Sequence, residues 1–251
     1  MLVLDRPVLN DFDWLMIHFI QDHYTQAVKL NGINGISLYP AIQRVESTLE
    51  LFSMPLHLSS MRLITYIKQI NEFHQLTHED QMYLIKSNLL TTCFFHSIYM
   101  YDPRRDCYHE ENTTDPLFCG RDWNRTLNKQ FHLEMHKLRR DLINIFQLDD
   151  IIIKLFLLIL LFSNQMSSNQ SARCSLTDVN SLDIFKTQNI FIDLVYRYCL
   201  HQYGSREASI LFCRYVHKIM KMQQLVDGIK HTIDNYIDVT QLPTLMESLL
   251  N

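Results

Sequence analysis

With 251 residues, 47% of them hydrophobic, the chain is able to bury one large core and lies near the upper size for a single domain. Five glycines and six prolines leave little turn material for an all-β protein, which favours a mainly helical fold. A net charge of −4 and the lack of any basic block exclude a dedicated nucleic-acid surface within these residues.

The pattern predicts a first helix over Phe12–Leu30, with Trp14, Ile17, Phe19 and Ala27 apolar among polar neighbours. A loop holding Gly32, Gly35 and Pro40 follows, then a short helix from Pro40 to Phe52. Pro55 opens a long helix through Phe73, in which Leu56, Leu63, Ile64, Ile67 and Ile70 recur at helical spacing. Thr77 starts the next helix, and the T-x-x-D spacing predicts that Asp80 reaches back toward the cap. That helix runs to Met100 and is apolar nearly all round, so it is central. From Asp102 to Trp123 the chain is polar, with Pro103 and Pro116, and is expected to form a small β-hairpin, the fold's strand content. Further helices are expected at Leu127–Phe146, Asp149–Ser163, Ser181–Gln202 and Ser205–Tyr236, with a Ser/Asn/Gln-rich loop over Asn164–Asp178.

The six cysteines show no C-x-x-C spacing, which argues against a zinc ribbon. They read as buried thiols of a reducing compartment, although Cys107 and Cys119 bracket the predicted hairpin and could be joined there. The most apolar run, Leu155–Phe162, is far shorter than the roughly twenty residues a membrane span needs. Met1–Leu9 is too short and too charged for a signal peptide, so a soluble intracellular chain is expected. His132 and His136 share a helical face, but Glu134 points elsewhere and no third metal ligand is evident. With no glycine-rich phosphate loop and no nucleophile elbow, the chain reads as a binding module rather than an enzyme.

The module's binding surface is suggested by Tyr66–Ile85. Two helices joined by a capped turn leave Met61, Ile64, Met82 and Ile85 lining a shallow apolar trough, with Lys68 and Lys86 near its ends. A lysine there would meet the orphan carbonyls at a visiting helix's C-terminus. Glu247, in the amphipathic tail Leu242–Leu250, would meet the visitor's free N–H groups if the tail docked beside the trough.

The set Tyr66, Ile67, Lys68, Phe73, Leu76, Asp80, Gln81, Leu84 and Ile85 resembles the signature of nuclear hormone receptor ligand-binding domains, every position matching. Pro243–Leu249 is similar to that family's activation helix, with Thr244 and Ser248 where apolar residues are usual. Glu207–Ile210 and Met222–Leu225 resemble its dimerisation helix in the thyroid-receptor-like and retinoid X receptor-like branches. The resemblance implies one domain over 1–251, an all-α, three-layer antiparallel sandwich of about eleven to twelve helices with one small β-hairpin, without the family's DNA-binding half. It makes Lys68 and Glu247 the charge clamp on an LxxLL coactivator helix and Gln81, Met82, Ile64, Met61 and Lys86 the groove wall. It places a lipophilic ligand (hormone, retinoid, sterol or fatty-acid-like) against Phe52, Leu56, Ser59 and Leu63, then Cys93, His96, Ser97 and Met100, then Ile229, Thr232 and Ile233, with Leu245 near the lid. By the same resemblance the domain acts in the nucleus, binds coactivator or corepressor peptides, and forms a homodimer or a heterodimer with a retinoid X-type receptor. A scaffold or repressor of the same fold with a side-chain-filled pocket, and a helical lipid carrier without a partner helix, are the alternatives.

Overall fold

The computed structural model describes residues 8–32, 42–123, 126–127, 129–146, 149–163 and 178–250. The chain is mostly helical, with one small sheet. Helix α1 covers Asp11–Leu30. It starts one residue before the expected position because Asn10 and Asp13 close a reciprocal cap, Asp13 N–H to Asn10 Oδ1 at 3.0 Å and Asn10 N–H to Asp13 Oδ2 at 2.9 Å.

The stretch expected as a helix from Pro40 to Phe52 is instead a strand and a late helix start. Strand β1 is Ile42–Gln43, and Ser47 caps α2, Thr48–Leu51. Gly35 and Pro40 fall outside the described residues. Pro55 does not open the long helix. It sits inside a π-helical turn, Phe52–Leu56, that joins α2 directly to α3, His57–Ile67. A proline has no N–H to give the ladder, and the widened turn absorbs that gap. The long helix also ends earlier than expected: α4, Asn71–His74, is a separate turn.

Helix α5, His78–Tyr99, is capped as its T-x-x-D spacing predicts: Thr77 Oγ1 accepts from Asp80 N–H at 3.2 Å and donates to the Asp80 carboxylate at 2.5 Å. It is buried almost continuously from Leu84 to Ile98, and α3 and the later helices α7 (Lys129–Phe146), α8 (Asp150–Leu161), α9 (Asp178–Lys230) and α10 (Thr244–Leu250) all lie against it. α8 begins where Asp149 accepts from the N–H groups of Ile151 and Ile152 at 3.0 and 3.1 Å, and it is buried from Ile152 to Leu161. Among the described residues no helix is long and apolar enough to cross a membrane.

The strand content exceeds a hairpin. β2 (Tyr101–Asp102), β3 (Cys107–Tyr108) and β4 (Leu117–Cys119) form an antiparallel ribbon, and β1 adds to β4 in parallel, giving the order β1-β4-β3-β2. The short helix α6, Gly120–Trp123, follows, and Trp123 stacks on Tyr108 with ring centres 4.2 Å apart. The two late helices expected at 181–202 and 205–236 are both present within α9, where they meet at a kink at Gly204, whose non-helical φ of 78° and ψ of 168° suit glycine alone. That run stops at Lys230, and 3₁₀ turns at Ile233–Asn235 and Val239–Gln241 lead into α10. Of the loop predicted over Asn164–Asp178, residues 164–177 lie outside the described residues, and Asp178 is already the first residue of α9.

Candidate functional site

The tail segment singled out in the sequence is a helix seated on the body of the protein. Met246 and Leu249 of α10 are buried, as is Leu242 just before it. Met246 Sδ lies 3.4 Å from Ser60 Oγ of α3, and the same hydroxyl lies 3.1 Å from Cys93 Sγ of α5. The seat therefore joins three elements brought together from distant parts of the chain. Glu247 is half-buried in the first turn of α10.

Met61 and Ile64 of α3 and Lys68, its C-cap, follow one another at i, i+3 and i+7, which puts them on one stripe. On α5, Met82 and Lys86 are one turn apart. Met61 and Met82 are each 39% exposed, whereas Ile64 is half-buried and both lysines are exposed. Met61 also borders a cleft of about 380 Å³ beside Asn31, Gln43, Pro116 and Phe118. Gln81 Nε2 donates to the carbonyls of Phe73 and Leu76 at 3.0 and 3.1 Å, fixing the α4 turn. Sequence reasoning missed Lys230, whose ammonium donates to the backbone carbonyls of Lys86 and Ser87 at 3.4 and 3.3 Å.

The residues expected to face a ligand are mostly interior. Phe52, Leu56, Ser59, Leu63, Cys93, His96, Ser97, Ile229 and Ile233 are buried, while Met100, Thr232 and Leu245 are half-buried. Their polar atoms already have partners: Ser97 Oγ donates to Phe94 O at 2.6 Å, Thr232 Oγ1 to Gly228 O at 2.9 Å, and Ser59 Oγ meets His96 Nδ1 at 2.7 Å. Burial pushes the Cys93 thiol up to about 12, so it is neutral at physiological pH.

His96 opens onto a buried polar centre that the sequence did not disclose. Its Nε2 lies 2.5 Å from Tyr24 OH of α1 and 3.2 Å from Glu110 Oε2, and Tyr24 OH donates to the Glu110 carboxylate at 2.9 Å. Next to it Arg62 of α3, 1% exposed, binds Asp115 through Nη2 and lies 3.9 Å from Glu110. His96 thus bridges Ser59 at Nδ1 to Tyr24 and Glu110 at Nε2, and Tyr24 donates to Glu110. Ser59, Arg62 and Asp115 border one narrow cleft with Tyr108, and Tyr24 and Glu110 border another, of about 380 Å³, with Asp150 and Lys154. Lys154 pairs with Asp150 at 2.7 Å and lies 4.8 Å over the Tyr24 ring. Arg62 was the one signal available: a guanidinium amid Ser-Ser-Met-Arg-Leu-Ile needs an acid partner if that face is buried.

Burial alone would raise the Glu110 carboxyl, but its hydrogen bond and attraction to His96, followed by the charge of Arg62, hold it below its ordinary 4.5. A carboxyl depressed on folding contributes stability in full above 4.5, and that contribution is lost as pH falls through the lower folded value. Acid titration of unfolding should therefore show a loss of stability beginning below 4.5 that is smaller in Glu110→Gln; identical acid limbs would rule out this role.

Among the described residues no three His, Cys, Asp or Glu side chains converge as a metal site. His132 instead accepts the Leu127 N–H at 3.3 Å, and burial, then His136 and Arg139, lower its pKa to about 4. Neither protein-family models nor the curated proteins match this chain.

Proposed function

We propose that the chain is a nuclear-receptor-type ligand-binding domain, a three-layer helical sandwich whose C-terminal helix completes a groove for an LxxLL coactivator helix. The observation that carries this reading is α10 seated over α3 and α5 by Met246 and Leu249, beside two helices edged by exposed methionines and lysines. A visiting amphipathic helix would lay its leucines along Met61, Ile64 and Met82. Lys68 would cap its C-terminal carbonyls, with Lys86 adding charge at the same surface, and Glu247 would take its N-terminal N–H groups. A lipophilic ligand among Phe52, Leu63, His96 and Ile233 would act from beneath by favouring the seated state. Nuclear location, corepressor exchange and dimerisation with a second copy or a retinoid X-type partner belong to the same proposal.

The test is a titration of a labelled LxxLL peptide against wild type, Lys68→Ala and Glu247→Ala. Each variant should lose one hydrogen-bonded charge, worth roughly 1.5–3 kcal/mol, and so weaken Kd on the order of 10- to 100-fold. Equal binding by all three proteins would sink the proposal.

A second reading is favoured by the interior: the polar atoms of Ser59, Ser97 and His96 are already satisfied by the protein itself. In that reading the pocket is filled by side chains, and the domain acts without a ligand as a scaffold or repressor. Native mass spectrometry separates the two, a co-purifying lipid supporting the first and a consistently empty domain the second.

A further inference from the structure

Cys107 and Cys119 stand directly opposite each other on β3 and β4, and both are free thiols. Their register is decided by the neighbouring bond: the Gly120 N–H donates to the Asp106 carbonyl at 2.7 Å. In an antiparallel ladder a bond between the residues just outside a pair marks that pair as the non-hydrogen-bonded kind. Such pairs bring Cα atoms to about 4.5 Å and their side chains closest together, inside the roughly 4.4–6.8 Å window that a disulfide requires. Gly120 keeps this register, because a Cβ there would collide with the Asp106 side chain. Cys93 and Cys199, by contrast, are buried on helices, and Cys213 is exposed on α9.

We propose that Cys107 and Cys119 form a reversible disulfide, a redox clasp on the loop that supplies the two carboxylates of the polar centre. The eleven residues it would enclose, 108–118, contain Glu110 and Asp115, the partners of His96 and Arg62. The half-exposed Cys119 meets an oxidant first, since Cys107 is buried. Burial and then Asp102 hold the Cys107 thiol above its ordinary value, which suits it to the resolving role rather than the first attack. A hydroperoxide converts the Cys119 thiol to a sulfenic acid, its O–O bond breaking and an alcohol (water, from hydrogen peroxide) leaving. The Cys107 sulfur then attacks the oxidised sulfur, the S–S bond forms, and the sulfenic oxygen leaves as water with the Cys107 proton. Two thiols and one hydroperoxide thus give one disulfide, one alcohol and one water. A low-molecular-weight thiol reverses the bond by exchange.

The experiment treats the full chain with hydrogen peroxide, alkylates remaining thiols and maps peptides by mass spectrometry. One cross-linked species containing Cys107 and Cys119, lighter by two hydrogens and restored by excess dithiothreitol, is expected. Amide exchange over 108–118 should slow in the oxidised form. Repeating the reaction in a Cys174→Ser, Cys213→Ser background should leave the bridge unchanged, whereas adding Cys107→Ser should strand Cys119 as a trappable sulfenic acid. The proposal is overturned if both sulfurs are recovered separately alkylated or over-oxidised, or if the bridge forms without slowing exchange in the loop. Mapping of the unsubstituted chain decides the matter even where a serine variant folds poorly.

Discussion

Asp115→Ala should lower the unfolding free energy by roughly 3–5 kcal/mol, a large share of the ~5–15 kcal/mol margin of a folded domain. The reason is the partner left behind. Arg62 is 1% exposed and cannot turn to water, and its remaining acid, Glu110, is 3.9 Å away and already engaged by Tyr24 and His96. Removing Asp115 therefore leaves a desolvated cation held by the shared Glu110 carboxylate at 3.9 Å and a long bond to the Asn31 carbonyl at 3.5 Å. The double variant Asp115→Leu, Arg62→Met should fare much better than the single one, because the pair is replaced by apolar volume and no charge is stranded. Urea titrations of the three proteins decide it. A single variant within about 1 kcal/mol of wild type, as for an exposed ion pair, would mean that water reaches Arg62 after all.

Met246→Ala should have its largest effect on the tail rather than on the body. Burying a methionine is worth about 2–5 kcal/mol against alanine, and α10 has seven residues and few other anchors. Since every 1.4 kcal/mol is tenfold, the ratio of seated to unseated tail should fall at least about tenfold. Hydrogen exchange over 244–250 should then quicken, and on the proposed function LxxLL peptide affinity should fall, while exchange in α5 and α8 stays slow. A uniform loss of protection across all helices would instead place Met246 in the global core, and an unchanged tail would refute its anchoring role.

The helices were legible in the sequence because each carried its own local signal. The T-x-x-D cap at Thr77 and the apolar block before Phe162 are examples, and both stand close to where periodicity puts them. What escaped depended on partners far away in the chain. β1 is two residues long and exists through parallel pairing with β4, some 75 residues on, so no local period could mark it. Pro55 misled for the opposite reason: its rule about helix starts holds for α-helices, and a π turn relaxes it. Of the candidate site, the exposure of Lys68 and Met82 and the half-burial of Glu247 agree with their reading as residues at the edges of helices. The polar centre was not, since Tyr24, Arg62, His96, Glu110 and Asp115 come from three helices and a loop, and charge alone names no partner across 48 or 53 residues.

Ser59 and Ser60 are consecutive on α3 and meet His96 and Cys93, one turn apart on α5, yet they lead to different partners beyond them. Ser59 touches His96 in the interior, and Ser60 touches Met246 of the outer helix. Neighbouring helical residues point about 100° apart, so a turn of α3 about its axis would move both contacts together. Interior and tail then share one mechanical coordinate, and whatever stabilises one orientation of α3 sets how tightly the tail is held. If the proposed function holds, reciprocity makes a peptide that pins the tail tighten a ligand in the interior by the same factor.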